Sequence, residues 1–174
     1  MASPIISAKR PTASPAGPAP LWAWLVATFL GAGNLRPGPG TWGSLAALAL
    51  WSGGARLLPE PWRVFAALAV VALTLAFGIP AASLMAREKG EEDPSCVVID
   101  EVAGQTLAFV AVPLHWNSLL AAFILFRAFD ILKPPPIRQL ERIPGGAGIM
   151  LDDIGAGAFA LVVVQLLLHF GILR

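Results

Sequence analysis

The sequence predicts an all-α fold, a compact bundle of about six helices that is integral to a membrane, with some helices short or only partly embedded. Three observations carry this. Of the 174 residues, 56% are hydrophobic and 13% charged, whereas soluble domains average about 25% charged. The mean hydropathy is +0.71. Finally, apolar stretches follow one another with no strand-like alternation, internal repeat or useful heptad. Twelve Lys/Arg against 11 Asp/Glu leave a net charge of +1, so the basic footprint of a nucleic-acid-binding protein is absent. A single cysteine, Cys96, excludes an internal disulfide and a cysteine-based zinc cage.

Residues 1–20 contain five prolines among Ala, Ser and Gly and are expected to form a disordered, cytoplasmic tail ahead of a helical domain over 21–174. Lys9-Arg10 ahead of Leu21–Leu30 resembles the first two regions of a signal peptide. No small-residue cleavage box follows, so a retained segment is expected. Leu21–Gly33 is too short to span a bilayer alone, which takes about 20 residues. Trp42–Leu58 is borderline. Val64–Ala86 runs for 23 residues without a charge and is the clearest spanning segment. Val97–Val112 is apolar except for Asp100 and Glu101, and Leu119–Leu132 except for Arg127 and Asp130. Ile154–Leu173, 20 residues with His169 as its one ionisable side chain, is the second expected span. Pro37-Gly38-Pro39-Gly40 precedes one helix. Pro134-Pro135-Pro136 ends another, because proline lacks an amide proton and clashes with the preceding turn.

The few charges are unevenly placed. Ten of the 11 acidic residues lie between Glu88 and Asp153. Glu88, Glu91, Glu92 and Asp93 accompany Lys89 in what reads as a solvated loop. The others, Asp100, Glu101, Asp130, Glu141, Asp152 and Asp153, lie mostly inside or against apolar helices. There a carboxylate is costly unless it is paired, hydrogen-bonded or bound to metal.

Helical geometry spreads adjacent Asp100 and Glu101 about 100° apart. They could approach one site from two directions, or simply pair with Arg127 or Arg138. Gly104 leaves room on the Asp100 face, and Gln105 is placed to hydrogen-bond Glu101. Arg127, Asp130 and Lys133 share roughly one helix face at i, i+3, i+6. Asp152-Asp153 follows a glycine-rich run at the expected start of the last helix. One of the two suits an N-cap, leaving its neighbour free to coordinate. Thr41 suits a cap as well, although Thr41 and Ser44 at a helix start could also contact an anion.

Five such acids, Asp100, Glu101, Asp130, Asp152 and Asp153, point to a hard cation with oxygen ligands, Mg²⁺ above all. Arg127, Lys133 and Arg138 suit a phosphate. The combination fits phosphoryl chemistry at a membrane surface. Other phosphatase chemistries fit poorly. Six residues after Cys96 stands Val102 rather than Arg, only His115 and His169 are present, and no Asp-x-Asp occurs.

The strings PGTWGS (39–44), VVIDEVAG (97–104), FRAFDILKPPPIRQLER (126–142) and GGAGIMLDDIGAG (145–157) resemble the phosphatidylglycerophosphatase A family in order and spacing. The resemblance runs from about Leu21 to the C-terminus. It implies a Mg²⁺-dependent lipid phosphatase of the bacterial cytoplasmic membrane, with its active site facing the cytoplasm. Such an enzyme converts phosphatidylglycerophosphate to phosphatidylglycerol and phosphate in phospholipid biosynthesis. The matching polar positions are Thr41, Ser44, Asp100, Glu101, Arg127, Asp130, Lys133, Arg138, Asp152 and Asp153.

On this reading the five acids supply Mg²⁺ ligands and a base for water, and Lys133, Arg127 and Arg138 hold the phosphate. Thr41 and Ser44 make lesser contacts. A covalent aspartyl-phosphate is the rival route. Two other classes remain: a non-enzymatic ion or proton carrier using buried acids, and a CDP-alcohol phosphotransferase, whose DGxxAR signature is missing here.

Overall fold

The computed structural model describes residues 17–174, so most of the expected tail, 1–16, lies outside the described residues. Among the described residues there are seven α-helices and no strand: α1 (Leu21–Ala27), α2 (Pro39–Gly54), α3 (Glu60–Lys89), α4 (Ile99–Ala108), α5 (Trp116–Leu132), α6 (Ile137–Leu140) and α7 (Gly146–His169). The expected segments all appear as helices, and the addition is α6, a single turn after the triple proline.

Two helices are long and apolar enough to cross a membrane, α3 with 30 residues and α7 with 24. At 1.5 Å per residue they measure about 45 Å and 36 Å, against a hydrocarbon core of about 30 Å. α3 exposes Phe65, Leu68, Leu73 and Phe77 along its length. An apolar surface of that extent is stable in lipid and a liability in water. Its polar end, Arg87 to Lys89, follows that apolar length. Glu88 there accepts a hydrogen bond from the Ala19 amide at 2.9 Å and pairs with Lys89 at 3.7 Å. Glu88 and Lys89 are thus helical rather than part of a loop.

α4 is only ten residues long, about 15 Å, and cannot cross. It packs most extensively against α7, and the reason is local. A Cβ on Gly104 would collide with the Asp153 carbonyl oxygen and the Phe126 ring, and one on Gly157 would collide with the Gly104 carbonyl. With no side chain at either position the two backbones touch, the usual way helices associate in lipid. The room expected beside Asp100 at Gly104 is filled by α7.

Two polar side chains satisfy helix ends that lipid cannot. Gln165, within α7, donates through Nε2 to the carbonyls of Val110 (3.1 Å) and Ala111 (3.3 Å), just past the end of α4. Ser83 of α3 accepts from the Gly146 amide at 3.0 Å, at the start of α7. Orphan terminal groups need such partners where water is scarce. Replacing Gln165 with Leu strands the two carbonyls, and should cost about 1–3 kcal/mol, read as a lower unfolding midpoint in detergent.

The start of α7 corrects one expectation. The helix begins at Gly146 with Gly145 as its N-cap, so Asp152 and Asp153 lie about two turns inside it and neither caps it. The glycine run is consumed by packing, since a Cβ at Gly146 would strike the Ile79 carbonyl and Ser83 of α3. Thr41 is likewise not a cap: α2 is capped by Gly38, with Pro39 in the first turn, and Thr41 is exposed.

Candidate active site

The N-termini of α2, α4 and α7 and the C-terminus of α5 meet at one end of the bundle. They enclose a cavity of about 190 Å³ lined by Pro39, Gly40, Asp93, Ser95, Val97, Asp100, Glu101, Arg127, Asp130, Lys133, Asp152 and Asp153. The Gly104–Gly157 contact brings Asp100 and Glu101, one turn before Gly104, against Asp153, one turn before Gly157. Gly40 admits the start of α2, because a Cβ there would overlap the Glu101 carboxylate. Lys133 caps α5 in the left-handed conformation (φ 43°, ψ 59°), and its amide is held by the Phe129 carbonyl at 2.8 Å.

The five acids expected to act together form two adjoining groups, since Asp130 also lies beside Asp153 and Glu101. Asp130 Oδ2 lies 2.7 Å from Arg127 Nη1, and Asp152 Oδ2 lies 2.6 Å from Lys133 Nζ. Arg127 also approaches Glu101 at 3.8 Å, and Lys133 approaches exposed Glu141 at 3.4 Å. Burial works against the charged form of Lys133, but its bond to Asp152 outweighs that and raises the ammonium above its usual range.

Asp100, Glu101 and Asp153 form the second group. Each offers a carboxylate oxygen within 4.8 Å of the other two. Asp100 Oδ1, Glu101 Oε2 and Asp153 Oδ2 are buried with no hydrogen-bond partner among the described residues. Three carboxylates left with bare oxygens in a low-dielectric site repel one another. A cation is the chemical partner such a donor set fits.

The remaining expected residues are placed differently. Ser44 is fully buried and off the cavity wall; its hydroxyl donates to the Gly40 carbonyl at 2.9 Å and receives Arg127 Nη1 at 3.5 Å. It braces Arg127 from behind. Thr41 and Arg138 are exposed and do not line the cavity. Gln105 does not hydrogen-bond Glu101; both of its amide atoms lack a partner among the described residues.

Asp93 and Ser95, by contrast, line the cavity although the acidic run around them reads as a solvated loop. Their one sequence signal is position. They precede VVIDEVAG by a few residues, after the last turn of α3.

The family model of phosphatidylglycerophosphatase A matches residues 25–168. Phosphatidylglycerophosphatase A of Haemophilus influenzae is 41% identical over 142 residues, covering 80% of this chain and 85% of that protein. A Bacteroides thetaiotaomicron protein whose name proposes a phosphatidylinositol-3-phosphatase is 38% identical over 144 residues, covering 80% and 89%. Phosphatidylglycerophosphatase A of Escherichia coli is 35% identical over 102 residues, covering 58% and 59%. No solved structure matches the chain. The matched region takes in every helix that builds the cavity, and the chain belongs to the phosphatidylglycerophosphatase A family.

Proposed function

We propose that the chain is a Mg²⁺-dependent phosphatase that removes the terminal phosphate of phosphatidylglycerophosphate, yielding phosphatidylglycerol for the membrane. Family membership supports the reaction class. The observation that carries the mechanism is the difference in the acids' partners: three each keep one buried oxygen without a partner among the described residues, and two are held by a cation at 2.7 Å and 2.6 Å.

Asp100, Glu101 and Asp153 would hold the metal. When bound, Mg²⁺ supplies Lewis acidity, neutralising charge on phosphate oxygens and making water easier to deprotonate. Arg127 and Lys133 then face the phosphate, and Asp130 and Asp152 fix their positions. Bidentate or charge-assisted bonds from such tethered cations offset the charge of the phosphoryl group in flight. A water oxygen attacks phosphorus in line while the bond to the glycerol oxygen breaks. One carboxylate of the cluster takes the proton from water and gives it to the glycerol oxygen as that oxygen leaves.

The apolar bundle keeps the acyl chains in lipid while the headgroup enters the cavity at its end. The cytoplasm is the side we assign to that end. Arg36, Arg87, Lys89, Arg138 and Arg142 belong to segments around the site. Arg56, Arg63 and Arg174 belong to the opposite end, where α2 and α7 finish and α3 begins. That bias has the sense of the positive-inside rule.

Six acids line the cavity against two cations, so a phosphate dianion is repelled until a divalent cation is present. Phosphate release from phosphatidylglycerophosphate should therefore stop in EDTA and return with added Mg²⁺. Phosphatidylinositol 3-phosphate, assayed in parallel, tests whether the headgroup named for the Bacteroides relative is the better substrate. Metal-independent release, or none from phosphatidylglycerophosphate by folded protein with Mg²⁺, overturns the proposal. A phosphorylated carboxylate trapped during turnover would replace direct attack by water.

A further inference from the structure

One turn beyond Glu101, α4 carries Gln105, which is completely buried. Its Oε1 and its Nε2 both lack a hydrogen-bond partner among the described residues. This is not a general property of the helix. The next residue, Thr106, is also buried, yet its hydroxyl donates to the Val102 carbonyl at 2.7 Å. An amide brings two N–H donors and an acceptor, and a buried amide with all of them unused is unfavourable.

A group with the opposite need stands on the same face of α4. Residues four apart on a helix lie over one another, about 5–6 Å between Cβ atoms. Glu101 Oε2 is buried and without a partner, whereas Glu101 Oε1 is turned toward Arg127. An ionised carboxylate accepts only, and the Gln105 amide supplies donors.

We infer that Gln105 is a positioning residue for the metal-binding carboxylates: its Nε2, which makes no bond to Glu101 in this structure, donates to that carboxylate when the cation is bound. The bond orients the Glu101 carboxylate relative to Asp100 and Asp153. It is the kind of outer contact that holds a metal-ligating carboxylate in place. The inference rests on the proposal that these three acids bind the cation.

It has a signature that ordinary packing lacks, because two measurements move in opposite directions. In metal-free protein the amide is unsatisfied, so replacing it with an apolar side chain of similar volume removes a polar group without a partner. In the metal-bound protein the same change removes the group that orients a ligand. Full-length Gln105→Leu and Gln105→Met are compared with wild type by thermal unfolding in EDTA and by Mn²⁺ titration followed by electron paramagnetic resonance.

The expected result is an unfolding midpoint in EDTA equal to or above that of wild type. Mn²⁺ affinity should weaken by about 10–100-fold, as for loss of a residue that supports a ligand. If both variants bind Mn²⁺ within twofold of wild type, Gln105 does not position Glu101, and the metal proposal stands. If both unfold at lower temperature in EDTA, Gln105 is structural and the inference fails. Absence of Mn²⁺ binding by folded wild type overturns the metal proposal and this inference with it.

Discussion

Asp153→Asn should lower phosphate release from phosphatidylglycerophosphate by at least about 100-fold, the scale on which one preorganised electrostatic group contributes to catalysis. The substitution keeps the shape of the side chain and removes one charge. Asp153 is 3% exposed and shares its site with Asp100 and Glu101, and its Oδ2 has no hydrogen-bond partner among the described residues. Removing a charge from three crowded carboxylates relieves repulsion, so the metal-free variant should unfold at the wild-type temperature or above. Loss of activity without loss of stability separates a ligand from a structural acid. Mg²⁺ should also cease to raise the unfolding midpoint, because a ligand stabilises only the state that binds it. Activity within tenfold of wild type would remove Asp153 from the site.

The second large effect concerns a residue with no side chain. Gly104→Val should destabilise the protein at or above the top of the range of about 1–3 kcal/mol typical of overpacking. The obstructing atom on α7 is the backbone carbonyl oxygen of Asp153, which cannot rotate away, and the Phe126 ring closes the other side. The damage is also directed. Prising α4 from α7 separates Asp100 and Glu101 from Asp153, so metal binding should fall even in the fraction that folds. Gly53→Ala is the control. It lies in α2 with nothing within 4 Å of an added Cβ, and it should stabilise by up to about 1 kcal/mol through helix propensity. Equal behaviour of the two variants in thermal unfolding would sink the argument that the glycine contact builds the site.

Much of the site was legible in the chain because carboxylates inside apolar helices are expensive. Asp100, Glu101, Asp130, Asp152 and Asp153 stand out for that reason, as do Arg127 and Lys133. All seven line one cavity. What misled was local context. Asp152-Asp153 after a glycine run has the pattern of a helix start. Yet α7 begins six residues earlier, where Ser83 of α3 satisfies the Gly146 amide. Asp93 sits with Glu91 and Glu92 in an exposed connection, as the sequence reads, and the approach of α4 and α7 places it at the cavity as well. Arg138 and Thr41 belong to the motifs, but they point to solvent.

Composition and spacing alone determined that the protein is helical, that two of its segments are long and apolar enough to cross a membrane, and which few acids and cations stand against apolar helices, since burial costs and helix periods are properties of a single segment. Which acid does what is a property of several segments at once. Asp130 and Asp152 are neutralised because Arg127 and Lys133 stand 2.7 Å and 2.6 Å away. Asp100, Glu101 and Asp153 are brought together, each with one buried oxygen lacking a partner among the described residues, because two glycines let α4 and α7 touch. Coulomb energies depend on separations of a few ångströms, and only the packing of the helices decides those.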